Sequence, residues 1–295
     1  MNDPFASNRD FLVKFHFLPG IGLAKRRQLW AYLRSHIDTR LTLARVAEVL
    51  DWSTDDFHQA QIFWQSVKLA NQIDLNQATS KITTILDPDY PPFLRELYAA
   101  PLVLFSRGNW QLTSCAGLAV VGARKATAYS RLALKRLLPP LLTKQTHPPI
   151  ISGLASGVDA FSHQLAIQYE TSTVAVIGTG LDVTYPAAHQ SLQAELMTHQ
   201  LVISEYPLGT PPARFRFPER NRIIAGLSQA VLVTEAAQHS GSLITANIAL
   251  QENRNVLAVP GRITDPLSQG CNALISAGAT PITTATELMA ELRDE

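Results

Sequence analysis

The chain has 295 residues, 46% hydrophobic and 17% charged, with 25 Lys+Arg against 24 Asp+Glu for a formal net charge of +1. That balance suits a globular fold with room for one large domain and a small one, and it excludes a uniformly basic, histone-like binder. No apolar run approaches the ~18 residues of a membrane helix, and "MNDPFASNRD" lacks the basic and apolar regions of a secretory signal. Cys115 and Cys271 are too few for a disulfide framework or, alone, for a metal site. A cytoplasmic protein with no membrane partner is expected.

Residues 1–75 carry helical spacing, as in "TLARVAEVL" and "QIFWQSVKLAN", where apolar residues recur three and four apart. Ahead of these lies "FLPGIGLAKRRQLW". Its Leu-Pro-Gly-Ile-Gly resembles the hairpin of a helix-hairpin-helix unit, whose glycines let backbone N–H groups approach a DNA phosphate. Arg26 stands where such units usually carry a small residue. A tight turn between packed helices is the alternative reading.

"DPDYPPFLRELYAAP" (87–101) reads as a connection, and "LVLFSRG" after it as a short strand ended by Gly108. From 117 onward short apolar runs alternate with helical stretches. The runs are "GLAVVGAR", "PIISGLASG", "TVAVIGTG", "LVISEYP", "AVLVTEA" and "NVLAVPG"; the helices are expected at 128–143, 158–170, 187–198, 240–252, 268–277 and 284–293. This repetition predicts an α/β fold with a mostly parallel sheet covered by helices on both faces. A small all-helical domain over 1–75 precedes it, and the α/β domain spans 80–295. Its ligand site belongs at the carboxyl ends of the strands.

Four glycine-bearing loops fall at those ends: "VGAR" (121–124), "SGLASG" (152–157), "GTG" (178–180) and "SGSLIT" (240–245). Loops that open helices present unpaired N–H groups to anions. Between Arg124 and Lys144 six basic residues occur with no acid, which fits a local anionic partner or a solvated helix face. No G-x-x-x-x-G-K-[ST] and no complete G-x-G-x-x-G is present, so neither a P-loop ATPase nor ordinary NAD binding is expected. No cofactor, metal or catalytic residue is predicted. Asp159 and His163 share a helix face, but with no nucleophile nearby they read as capping and packing residues.

"RFRFPERNR" (214–222) follows Pro211 and Pro212 and contains Pro218. The prolines predict an extended run over 213–217, with Arg214 and Arg216 on one side and Phe215 and Phe217 on the other. Arginines for phosphates beside an aromatic platform for bases suit single-strand binding. In the alternative, both phenylalanines are core and the arginines pair with Glu219 and other acids.

"VGARKAT", "SGLASGVDAFSH", "GLDVTYP", "SEYP", "FPERNRIIAGLS", "SGSLITA", "AVPG" and "GCNALISAGA" occur in one order over residues 90–280. In that order they resemble the DNA-processing protein A family (DprA/Smf). The resemblance implies that residues 80–295 form an extended Rossmann-like domain that binds single-stranded DNA, forms a homodimer and helps load the RecA recombinase in natural transformation. The N-terminal region is similar to the sterile-alpha-motif-like domain of that family, and no C-terminal winged helix is expected. Carried over by residue, the resemblance puts Gly122, Arg124 and Lys125 at the DNA, with Ser152 and Gly153. It adds Arg216, Phe217, Arg220, Asn221 and Arg222, and Ser240, Gly241, Ser242 and Thr245 of the last loop. Ser156 stands where the family commonly has a basic residue, and His189 where an asparagine is usual. Two rivals remain. One is a nucleotide or phosphoribosyl hydrolase using Glu205 or Glu235, and the other is a scaffold with a vestigial pocket.

Overall fold

The computed structural model describes residues 4–36, 39–144 and 147–292. The expected helix over 284–293 thus ends, at Arg293, outside the described residues. The chain opens with helices α1 (Pro4–His16), α2 (Leu23–Ser35), α3 (Leu43–Val49), α4 (Thr54–Trp64) and α5 (Val67–Thr79). The last three start at hydroxyl caps, Thr42, Ser53 and Ser66, whose side chains accept N–H groups of the first turn. Helix α5 continues past the expected boundary at 75 and leads directly into a strand, β1 (Lys81–Thr84), that the sequence pattern did not reveal.

Short helix α6 (Pro92–Arg95) precedes β2 (Val103–Gly108) and β3 (Gly117–Val121). The repeating units follow, with α7 (Ala128–Leu137), α8 (Pro139–Leu142), β4 (Ile150–Ser152) and α9 (Val158–Gln168), then β5 (Thr173–Ile177), α10 (Gln190–His199) and β6 (Leu201–Ser204). Next are α11 (Arg216–Gly226), β7 (Ser228–Val233), α12 (Gly241–Gln251), β8 (Asn255–Ala258), α13 (Gln269–Ser276), β9 (Thr280–Pro281) and α14 (Ala285–Ala290). Among the described residues nine strands form one sheet in the order β1-β2-β6-β5-β4-β3-β7-β8-β9. Pairing is antiparallel at β1–β2 and β2–β6 and parallel elsewhere.

The parallel strands are mainly apolar, with polar residues at their ends, because both sheet faces are covered. Alternate residues feed two cores. Leu118 and Val120, Ala230 and Leu232, and Leu257 pack on one face with Leu134, Leu141 and Leu288 from α7, α8 and α14. Ala119 and Val121, Val231 and Val233, and Val256 and Ala258 pack on the other with Ile223, Ile224 and Ala246 from α11 and α12. That second core also takes Leu12, Phe15, Leu29 and Leu69 of the N-terminal helices. The helices dock beside β2, where the rings of His16 and Phe17 stand 5.5 and 5.9 Å edge-on to Phe105. Arg9 Nε donates to Asp87 Oδ1 at 2.9 Å in the same junction.

Two expectations are corrected. The helix expected over 128–143 is α7 followed by α8, because Pro139 cannot donate into α7 but suits the first position of a new helix. Residues 213–217 are not an extended run. Arg214 and Phe215 form a turn and α11 begins at Arg216. Pro218 falls in its first turn, where N–H groups have no intrahelical acceptor, so the proline starts the helix instead of breaking it.

Candidate nucleic-acid interface

The chain runs from β3 outward through β4, β5 and β6, then returns to place β7 on the other side of β3. Ligands of open α/β sheets bind at such a reversal, beyond the carboxyl ends of the strands. A cleft of about 580 Å³ lies there, lined from Val121 at the end of β3 and Gly122 beyond it to Ser240, Gly241, Ser242, Ile244 and Thr245 after β7. First-turn residues of three helices contribute to its wall: Asp159 of α9, Phe217 and Pro218 of α11, and Gly241 and Ser242 of α12. Each helix has 11 residues, and the positive ends of their dipoles favour an anion in the cleft.

Glycine is needed where the loops press together. Gly157 has φ +82°, and a Cβ there would stand 2.2 Å from the Ala123 carbonyl oxygen. The backbone of the "VGAR" loop therefore rests on Gly157, which aims Arg124 outward over the cleft. Its guanidinium lies 5.6 Å from the centroid of the Phe217 ring. Tyr185, 44% exposed, places its ring 5.4 Å from Phe217 at an interplanar angle of 32°. A Cβ on Gly178 would sit 3.3 Å from Phe217 Cδ1, so that ring packs on bare backbone of the "GTG" loop. Arg214 completes this end of the cleft. Two aromatic rings with two arginines, beside helix N-termini, can take bases and phosphates together.

Beneath this layer the polar groups are structural. Arg220, 5% exposed, donates Nη1 to the carbonyls of Gly153 and Val176. Burial lowers its pKa to about 10, an effect that nearby Asp159 partly offsets. Asp159 Oδ2 accepts the N–H groups of Gly153 and Ala155 at 3.2 and 3.4 Å, and burial raises its pKa. Arg222 points elsewhere, its Nη2 2.5 Å from Glu205 Oε2 in a buried ion pair, with Arg26 Nη1 3.4 Å from Glu205 Oε1. Glu235 accepts the N–H and hydroxyl of Thr127, the cap of α7.

Of the residues expected at DNA, Gly122, Arg124, Phe217, Arg220, Asn221, Ser240, Gly241, Ser242 and Thr245 line the cleft. Lys125, Ser152, Gly153, Arg216 and Arg222 do not. Lys125 is exposed beside the cleft, and Ser152 Oγ is buried, donating to the Val120 carbonyl. His189 Nδ1 lies 2.9 Å from the Leu154 carbonyl, joining the loop after "GTG" to the "SGLASG" loop. Asp159 and His163 do not act on each other through a hydrogen bond: His163 is buried against Thr173 Oγ1 at 2.7 Å. Tyr185 was missed, although its place five residues past a predicted glycine loop was a usable signal. Among the described residues no His/Cys/Asp/Glu group could hold a metal ion, and no helix is long and apolar enough to cross a membrane.

The family model for DNA recombination-mediator protein A matches residues 81–293. The chain is 39% identical over 258 residues to DNA processing protein DprA of Streptococcus pneumoniae, covering 87% of this chain and 89% of that one. It is 35% identical over 271 residues to protein Smf of Escherichia coli, covering 90% and 69%. The X-ray structure of DprA from Streptococcus pneumoniae superposes with a TM-score of 0.87 at 35% identity over 99% of both chains. A structure describing the single-stranded DNA binding mode of DNA processing protein A from Helicobacter pylori matches with a TM-score of 0.64 at 27% identity, over 72% of this chain and 95% of that one.

Proposed function

This chain belongs to the DNA recombination-mediator protein A family, and from that premise we propose that it binds single-stranded DNA as a mediator of recombination. The observation that carries the proposal is the Arg124–Phe217–Tyr185 cluster at the meeting of helix N-termini. Phosphates are held by Arg124, Arg214 and the positive end of the α12 dipole, while bases stack on Phe217 and Tyr185. The single-stranded DNA binding described for the Helicobacter pylori neighbour supports the same use of this sheet. Protection of incoming DNA in natural transformation, handover to RecA and homodimerisation in the cytoplasm belong to the proposal on the strength of the family resemblance.

The hydrolase reading needs a carboxylate over a bound ribose. Glu205 and Glu235, its candidates, are 1% and 0% exposed and engaged by Arg222 and Thr127. Neither lines the cleft. The test is a titration of labelled oligothymidine and its duplex with wild-type protein and Arg124→Ala, alongside incubation with nucleoside monophosphates. Preferential single-strand binding that weakens in Arg124→Ala is expected. Wild-type affinity in that variant would sink the assignment, and a nucleotide product that disappears in Glu235→Gln would favour the hydrolase.

A further inference from the structure

The turn before α11 divides its side chains between two clefts. Arg214 and Phe217 line the one described above, whereas Phe215 and Arg216 line a second, of about 510 Å³, facing the start of α2. Phe215 is 60% exposed, and the Arg216 guanidinium lies 5.3 Å from the centroids of both Phe215 and Tyr206. The aromatic–arginine pairing of the first cleft is thus repeated a few ångströms of backbone away. The acid in this wall, Glu219, already accepts the Tyr206 hydroxyl at 2.9 Å.

The opposite wall is the "LPGIG" loop. A Cβ on Gly20 or Gly22 would meet nothing within 4 Å, so the backbone there is open to a ligand. Gly22 caps α2, a helix of 13 residues, and offers no side chain to its first N–H groups. An independent sign comes from below. His16, 3% exposed, forms part of this wall, and its Nε2 is held by the Glu205 carbonyl while its buried Nδ1 has no partner. Since a carbonyl only accepts, Nε2 donates and Nδ1 is an unused acceptor.

We infer that this second cleft holds the continuation of the single strand bound in the first, with a base on Phe215 and Arg216 and a phosphate at the Gly20–Gly22 loop. The inference rests on the first cleft being the DNA site, because a strand leaving Phe217 has only the 214–217 turn to cross. Backbone N–H groups, an arginine and an exposed ring match a nucleotide better than an apolar protein surface. The glycine hairpin and the RFRF turn then serve one ligand from two ends of the sequence.

The test uses the full chain and oligothymidines from about 4 to about 16 nucleotides. Gly22→Asp places a carboxylate at the loop, and with φ −81° and ψ 177° the position accepts any residue and favours an aspartate cap, so the fold is kept. Gly22→Asn is its uncharged control. Phe215→Ala is expected to weaken binding roughly fivefold to a hundredfold on long oligomers and leave the shortest unchanged. Gly22→Asp, relative to Gly22→Asn, is expected to weaken long-oligomer binding and lower its salt slope by about 0.7. Should Phe217→Ala weaken every length while Phe215→Ala and Gly22→Asp match wild type at all of them, the second cleft is wrong and the first stands. If neither Phe217→Ala nor Arg124→Ala has an effect at any length, the first assignment fails and this one with it. A Phe215→Ala loss equal at all lengths, or seen only with a protein ligand, also overturns the inference. Circular dichroism reports folding, and if Phe215→Ala is unfolded the two Gly22 variants decide.

Discussion

The guanidinium of Arg220 occupies the space that a side chain at Gly153 would need. A Cβ placed on Gly153 would stand 2.3 Å from Arg220 Nη1 and 2.5 Å from Cζ. The arginine is thereby lodged between the Gly153 and Val176 carbonyls, fastening α11 across the ends of β4 and β5. Phe217 lies one turn earlier on the same helix, so the placement of the ring depends on how Arg220 anchors that helix.

Gly153→Ala should therefore act at a distance. Forcing the guanidinium aside costs about 1–3 kcal/mol, as overpacking does elsewhere, and lets α11 shift. Urea unfolding should show a lower midpoint with an unchanged slope, and oligothymidine affinity should fall in the folded protein. An unchanged midpoint would mean that Arg220 finds an equally good position.

Ring and charge can be separated by salt. Phe217→Ala should cost roughly 1–3 kcal/mol of single-strand affinity while leaving the log–log salt slope nearly unchanged, and equally so on poly-T and mixed sequences. Tyr185→Ala, whose ring is tilted on Phe217, should show a loss of the same kind. Normal binding by a folded Phe217→Ala protein would remove the stacking role.

Arg124→Ala and Arg214→Ala should each lower that slope by about 0.7, one phosphate contact apiece. Titrations over a range of salt concentrations read both quantities. Slopes equal to wild type in both variants would take the phosphates out of this cleft.

Arg222 should behave as an internal residue. Arg222→Leu leaves Glu205 in a buried site with only Arg26, at 3.4 Å, for company, and should cost on the order of 3 kcal/mol. Thermal unfolding measures that loss. The salt slope of DNA binding by the folded variant should match wild type, and a lower slope would return Arg222 to the DNA surface.

Acid should destabilise the protein through its buried histidines. Burial lowers the His163 pKa from 6.5 to about 3 and sets that of His16 well below 6.5. The unfolded chain then binds the extra protons, so stability is complete above 6.5 and falls as pH drops toward 3, by up to about 1.4 kcal/mol per pH unit for each histidine. Asp159, with its pKa raised by burial, has the opposite sign, losing stability as pH rises from 3.8 toward its folded value. Denaturant midpoints between about pH 7 and pH 4.5 should fall more gently in His163→Gln than in wild type. Parallel curves would show that His163 is not the group responsible.

The sheet and its glycine loops were legible because each parallel strand is buried on both faces and ends at a turn that needs glycine. Strand β1 was not, since four residues gain their meaning only by pairing with β2, a partner about twenty positions away. The RFRF turn was misjudged for a related reason. Proline halts a helix or starts one according to its position, and the position is set by how α11 meets the sheet. Once α11 is helical, Arg220 and Arg222, two residues and roughly 200° apart, cannot share a face. One supports the cleft and the other reaches the N-terminal helices. The aromatic half of the cleft was only partly visible, because Tyr185 and Phe217 meet from a loop and a helix 32 positions apart in the chain.

Glu205 sets the size of the piece that must come apart at once. Its carboxylate is shared by Arg26 of α2 and Arg222 of α11, and its carbonyl by His16 of α1. If the helical segment leaves, Glu205 loses Arg26 and His16 and keeps only Arg222, so opening at this junction costs more than the fraying of a surface segment. Amide protons of α1, α2 and α11 are accordingly expected to exchange with solvent together, as one cooperative block. A hairpin that is distant in sequence from the "RFRF" turn is thereby held in register with it for as long as the protein is folded.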